Sequence, residues 1–197
     1  MFIAFEGPDE VGKSTSARAL SYDGQPIYNA TKQNHAEAAA SMVEGASSLV
    51  QTFDRIDWLS HMVYRLAMPT RDWNDDRLRT VFAMPDTHLV LKMHRPDMAG
   101  FIDAVGEGYE TGSLSKVNEM YYHQIDFLMR LNSHNEYSWF RTVSIMEVVN
   151  NSDAGIFRQR LVAFDSPAIG WGTASRFNVN GDQKLLELLR YEEQQRL

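Results

Sequence analysis

Ile3-Ala4-Phe5-Glu6-Gly7-Pro8-Asp9-Glu10-Val11-Gly12-Lys13-Ser14-Thr15-Ser16 decides the fold of this 197-residue chain. Met1 to Phe5 is a short apolar run suited to a buried parallel strand. Ser14 to Leu20 can continue as a helix. Between them, Gly7, Gly12, Lys13 and Ser14 satisfy the spacing G-x4-G-K-[ST]. The two glycines permit positive φ and a close approach to the backbone. A chain bent this way aims several N–H groups at one point and ends on a helix N-terminus, a geometry that holds the phosphates of a nucleoside triphosphate. Lys13 then reaches the β- and γ-phosphates, and the Ser14 hydroxyl is a ligand for Mg²⁺.

Bulk properties narrow the partners. The length suits one domain, residues 1–197, with a sizeable core. A net charge of −7 argues against a protein that coats nucleic acid, because a broad phosphate footprint needs excess Lys and Arg, although a local basic pocket stays open. With no cysteine there is no disulfide framework, thiolate metal site or cysteine nucleophile. Strand 1 begins at the N-terminus with no signal-peptide pattern ahead of it. No apolar run approaches membrane-spanning length. The expectation is a soluble, cytoplasmic protein.

Outward from the loop, strands alternate with helices. Strands are expected at Pro26–Ala30, Ser48–Phe53, His88–Met93 and Thr142–Met146, the last being the final core strand. Helices are expected at Asn34–Glu44, from Asp57 to a stop at Pro69, at Asp75–Ala83, from Pro96 onward, and from Leu114 to Leu131, where apolar residues recur every three or four positions. Met84-Pro85-Asp86 is expected to break the Asp75–Ala83 helix. Gly106–Ser113 reads as a mobile polar loop. The alternation predicts an α/β fold: a central parallel sheet of about five strands with helices on both faces. After Val149 the pattern weakens, with a candidate strand at Arg160–Phe164, a turn-rich Ser166–Arg176 and a C-terminal helix from Asp182. Residues 150–197 thus form a divergent extension that closes the site, covers the sheet or pairs two subunits into a homodimer.

Asp54-Arg55 is the second constellation. It stands where strand 3 should end, and ligands of open α/β sheets bind outside the carboxyl ends of strands. If strands 1 and 3 are neighbours, both side chains face the loop. Asp54 can hold Mg²⁺ through water, and Arg55 can clamp a second phosphate bidentately.

Here the chain resembles the thymidylate kinase family of nucleoside monophosphate kinases, with a P-loop kinase fold. Phe5-Glu6-Gly7-Pro8-Asp9-Glu10-Val11-Gly12-Lys13-Ser14-Thr15 is similar to the family's F-E-G-x-D-x-x-G-K-S-T, and Asp54-Arg55 to its D-R-[YH]. Pro85-Asp86, a strand and Arg95-Pro96 are similar to a further segment. The resemblance runs from residue 1 to about 149. It implies an ATP site at Gly7, Asp9, Gly12, Lys13, Ser14 and Thr15, with Lys13, Asp54 and Arg55 catalytic and Ser14 and Asp54 at Mg²⁺. Asp9 would bond the 3′-hydroxyl of an acceptor nucleoside monophosphate, Arg55 would bind its 5′-phosphate, and Lys32 matches a basic residue after strand 2. The implied reaction carries the γ-phosphoryl of ATP to a deoxynucleoside monophosphate.

Two departures bear on this. The family's transition-state arginine comes from the position of Glu10 or from a lid, but the lid-like stretch Gly106–Glu119 has only Lys116. Arg95, Arg130 and Arg158 are candidates to replace it. The span before Asp54 is short, so the usual base-binding helix is absent. Trp58, Tyr64 and Trp73 are then either base-stacking residues or core. His61, His94 and His123 lack two-His metal spacing and read as packing or surface residues. Two alternatives follow: a P-loop kinase acting on a hydroxymethyl-pyrimidine in DNA, or a nucleotide-binding protein with little turnover.

Overall fold

The computed structural model describes residues 2–20, 27–29, 51–74, 84–98, 110, 112–133, 139–151, 156–166 and 170–172. Within these, β1 (Phe2–Glu6) leads to α1 (Lys13–Leu20), β2 (Ile27–Asn29), β3 (Gln51–Asp54) and α2 (Asp57–Ala67). There follow β4 (Met84–His94), a single 3₁₀ turn at Pro96–Met98, and the long helix α3 (Ser113–Ser133). The chain ends its described course with β5 (Phe140–Asn151), β6 (Ile156–Ser166) and β7 (Gly170–Gly172).

One mixed sheet runs β2-β3-β1-β4-β5-β6-β7. The first five strands of that order are parallel, and β6 and β7 add antiparallel at one edge. The chain leaves β1 toward β2 and β3, then crosses to β4 and β5 on the other side. The order therefore reverses at β1, and the β1–α1 loop sits at that reversal, where a crevice forms outside the strand ends.

Strand alternation divides the core. Phe2 and Ala4 of β1, Leu89, Leu91 and Met93 of β4, and Val143 and Ile145 of β5 pack with α2 and α3. The intervening residues Ile3, Phe5 and Val90 are equally buried on the opposite face. Lys92 identifies that second face, because its Nζ reaches Gly12 and Ser16 beside α1. Helices thus lie on both faces, in keeping with the unbroken apolar run of β1, whose residues Phe2 to Phe5 are all buried. On α2, Trp58, Leu59 and Val63 are buried, while Leu66 is half exposed.

Several expectations need correction. Thr142–Met146 is neither the whole strand nor the last: β5 runs from Phe140 to Asn151, and two antiparallel strands follow it. β4 begins at Met84, and the helix that Met84-Pro85-Asp86 is expected to end lies outside the described residues. A register irregularity between Met84 and His88 accommodates the segment, and proline is tolerated at a strand start or bulge. Pro96 opens only a 3₁₀ turn within the described residues. The helices expected at Asn34–Glu44 and Asp75–Ala83, Lys32, most of the Gly106–Ser113 loop, and everything beyond residue 172 lie outside the described residues.

Candidate functional site

The β1–α1 loop is held in one shape from behind. Gly7 has φ +146°, and a Cβ there would stand 1.8 Å from the Lys92 carbonyl oxygen on β4. Gly12 has φ +72°. Glu10 takes φ +64° and Arg55 φ +86°, both in the left-handed region that non-glycine residues seldom occupy. Lys92, wholly buried on β4, donates from Nζ to the Gly12 carbonyl at 3.2 Å and to Ser16 Oγ. The loop's exit into α1 is therefore fixed by the Lys92 amine of the neighbouring strand.

The residues picked out by sequence meet at this point. Asp9, Glu10, Gly12, Lys13, Ser14, Thr15, Asp54 and Arg55 line one polar cleft of about 340 Å³. β3 pairs with β1, so Phe5 stands beside Asp54 and the Arg55 amide donates to the Phe5 carbonyl at 2.9 Å. Ser14 Oγ donates to Asp54 Oδ2 at 2.5 Å. Asp54 Oδ1 is buried with no hydrogen-bond partner among the described residues. A buried carboxylate oxygen without a donor, beside a hydroxyl, suits a hard cation that prefers oxygen ligands. Among the described residues no group of three His, Cys, Asp or Glu gathers to hold a metal alone.

Three charges share the inner wall. Arg55 donates from a terminal nitrogen to Asp9 Oδ1, and its guanidinium carbon lies 5.4 Å from the centre of the Tyr64 ring. Lys13 is buried, donates to the Pro8 carbonyl and stands 3.9 Å from Asp9 Oδ1. Burial, reinforced by Arg55, pulls the Lys13 pKa down to about 7 against the opposing pull of Asp9, Asp54 and Glu6. Arg55 and Asp9, which the resemblance assigns to separate parts of an acceptor, pair with each other.

Behind them, Glu6 is wholly buried and accepts from the Ile56 amide, from Ser60 Oγ at 2.9 Å and from Tyr121 Oη at 2.7 Å. Burial raises its pKa, while Arg55 and these donors act in the other direction. Trp58 stacks on Phe140, and Trp73 donates to the Met68 carbonyl at 2.7 Å with its ring against His61. Both are packing residues, and Tyr64 serves as the plate under Arg55. Arg95 is paired with Asp97 and Arg130 is exposed. His123 is exposed near Glu119, and His61 is buried.

Lys92 had a sequence signal that was missed, and His94, read as a packing or surface residue, is a buried one. A charged or polar residue at alternate positions of the apolar run His88–Met93 marks a special environment on that face. His94 is wholly buried, and its backbone is clamped by Asn118, which accepts from its N–H and donates to its carbonyl, each at 3.0 Å. Burial and the Lys13 charge lower the His94 pKa to about 4.

No family model matches this chain, and no curated protein matches it. Among solved structures, the YorR protein of Bacillus subtilis, in complex with phosphorylated GDP, is similar over 70% of this chain and 100% of its own. The identity is 20% and the TM-score 0.43, a likeness that carries no argument about activity here. Among the described residues, no helix is long and apolar enough to cross a membrane.

Proposed function

We propose that this protein is a P-loop kinase of the thymidylate kinase type, moving the γ-phosphoryl of ATP onto a deoxynucleoside monophosphate. The observation that carries the reading is the convergence of Lys13, Ser14 and Asp9 from the loop with Asp54 and Arg55 from β3 in one cleft. A loop that only bound phosphate would need none of the β3 residues.

In this reading the loop amides and Lys13 hold the β- and γ-phosphates. Ser14 and Asp54 would hold Mg²⁺, which supplies charge neutralisation between those phosphates. Phosphoryl transfer depends on alignment and charge stabilisation, so no covalent enzyme intermediate is required. Arg55 holds the acceptor phosphate in line. Its present partner Asp9 keeps the guanidinium aimed at the cleft, resting on Tyr64. On acceptor binding Arg55 turns from Asp9 to phosphate, and Asp9 is released to the sugar hydroxyl. The two roles drawn from the family resemblance are then sequential states of one pair.

A coupled assay across the common nucleoside monophosphates tests the reading. ADP release should depend on one or a few acceptors. Arg55→Ala should abolish acceptor binding while ATP binding survives. Absence of transfer to every monophosphate, with ATP bound, would instead support a nucleotide-binding protein with little turnover. One observation favours that second reading: among the described residues, Arg55 is the sole arginine lining the cleft, and Glu10 sits there in place of a cation.

A further inference from the structure

Two buried polar side chains on the loop side of the sheet have little or none of their hydrogen bonding met among the described residues. His94 is wholly buried; neither Nδ1 nor Nε2 makes a well-formed hydrogen bond among the described residues, and the Asp9 backbone gives the ring at most a weak one. Gln159 on β6 is 2% exposed, and neither its Oε1 nor its Nε2 has a partner among them. Burying an unsatisfied amide or imidazole is costly, and such groups are rare without a reason.

Strand register brings the two together. His94 stands opposite Val148 across β4 and β5, and Val148 stands opposite Gln159 across β5 and β6. Residues directly opposite share a face. That face is fixed at both ends. Lys92, two residues before His94, reaches the loop and α1. Glu147 and Arg160, the pair next to Val148 and Gln159, bond each other at 2.8 Å, and Glu147 also accepts from Tyr122 on α3. Glu147 therefore faces α3, and Val148 and Gln159 face the loop side with His94. The row spans two strand spacings, roughly 10 Å. At its near end the His94 ring lies against the Asp9 backbone and feels the Lys13 charge.

The chemistry of the row selects its ligand. Gln159 presents one acceptor and two donors and carries no charge, so it does not suit a phosphate. His94 in neutral form offers one donor and one acceptor. An apolar group would leave all four atoms unmet. A planar neutral edge with donor and acceptor side by side answers an amide bidentately, and nucleobases carry such edges. The row begins at the loop and extends over a distance that a sugar and base can bridge.

We propose that His94 and Gln159 form a subsite for the hydrogen-bonding edge of the base of the nucleotide whose phosphates the loop holds. The subsite rests on the phosphate reading of that loop.

Equilibrium binding to the full chain tests it, using inorganic tripolyphosphate and each of the four common nucleoside triphosphates. The native protein should bind at least one nucleotide about tenfold or more tighter than tripolyphosphate. Gln159→Leu should erase most of that ratio and leave tripolyphosphate affinity unchanged. An amide that is merely buried predicts otherwise: Gln159→Leu raises the melting temperature and preserves the ratio, which overturns the subsite. A native protein that binds tripolyphosphate as tightly as every nucleotide overturns it as well, with the loop reading intact. Failure of all five ligands to bind removes the loop reading and the subsite together. If Gln159→Leu does not fold, Gln159→Asn withdraws the amide by one methylene and is read by the same ratio.

Discussion

Gly7 is the residue at which the loop tolerates least change. Its φ of +146° lies where side chains are strained, and an added Cβ would meet the Lys92 carbonyl, which is backbone of a central strand and cannot swing aside. Gly7→Ala should therefore cost about 3 kcal/mol or more, with a lower midpoint in urea at an unchanged slope. A loss below about 1 kcal/mol would show that β1 and β4 part easily at this point. Lys13 makes a second prediction, through its pKa of about 7. Lysine in an unfolded chain titrates near 10.4, so between pH 7 and 10 the unfolded chain binds more protons than the folded one. The stability contribution of Lys13 thus rises with pH across that window, and Lys13→Met should flatten the rise. Phosphates placed beside the amine favour its charged form, so triphosphate binding at pH 8.5 should draw in close to one proton. Calorimetry in buffers of different ionisation heat reads this directly, and binding without proton uptake would show that Lys13 does not meet the phosphates.

At the scale of elements, the site is held by two buried charges that tie strands to helices. Glu6, at the end of β1, collects donors from the α2 entry and from Tyr121 on α3. Removing the tyrosine hydroxyl leaves a buried carboxylate one donor short, so Tyr121→Phe should cost about 1–3 kcal/mol in urea unfolding. A neutral result would mean that Ser60 and the Ile56 amide suffice. Lys92 does the same between β4 and α1. How legible these elements were followed from their chemistry. The loop was readable because each of its residues has a separate requirement: glycine for conformation, lysine for charge, serine for a hydroxyl. The β1–β3 pairing was readable only as a condition, and it is met by the register Phe5 to Asp54. The ties were not readable, because Glu6 lies 115 residues from Tyr121 and Lys92 lies 76 from Ser16, and only the fold brings them together. The Asp9–Arg55 pair was hidden differently: each residue suits a ligand group by itself, and their mutual pairing follows only from the fold that sets the end of β3 beside the loop.

For the molecule as a whole, the sheet has two different edges. β2 closes one with a strand of 3 residues, short enough to offer little to a stray chain. The other side is built outward from β5, a 12-residue strand on which Val143, Ile145, Met146 and Val148 are all buried. Only Arg141 and Glu147 on that strand carry charge. Without β6 it would be a long, apolar edge with a full row of unpaired N–H and C=O groups, the form most prone to pair with another chain. The parallel sheet could not continue there by a short connection, because a parallel neighbour needs a crossover of a dozen or more residues. Antiparallel β6, which begins at Ile156, covers the edge, and it adds Gln159 to the row beside the loop. The consequence is testable by ending the chain at Asn151. Every residue of the cleft is retained, so a cleft that works alone would give a soluble monomer that still binds triphosphate. The edge argument predicts association into large species instead, seen by light scattering and size exclusion. It further predicts that Val143→Lys in the shortened chain makes association worse, because Val143 packs toward α2 and α3, whereas a lysine at exposed Arg141 leaves it unchanged.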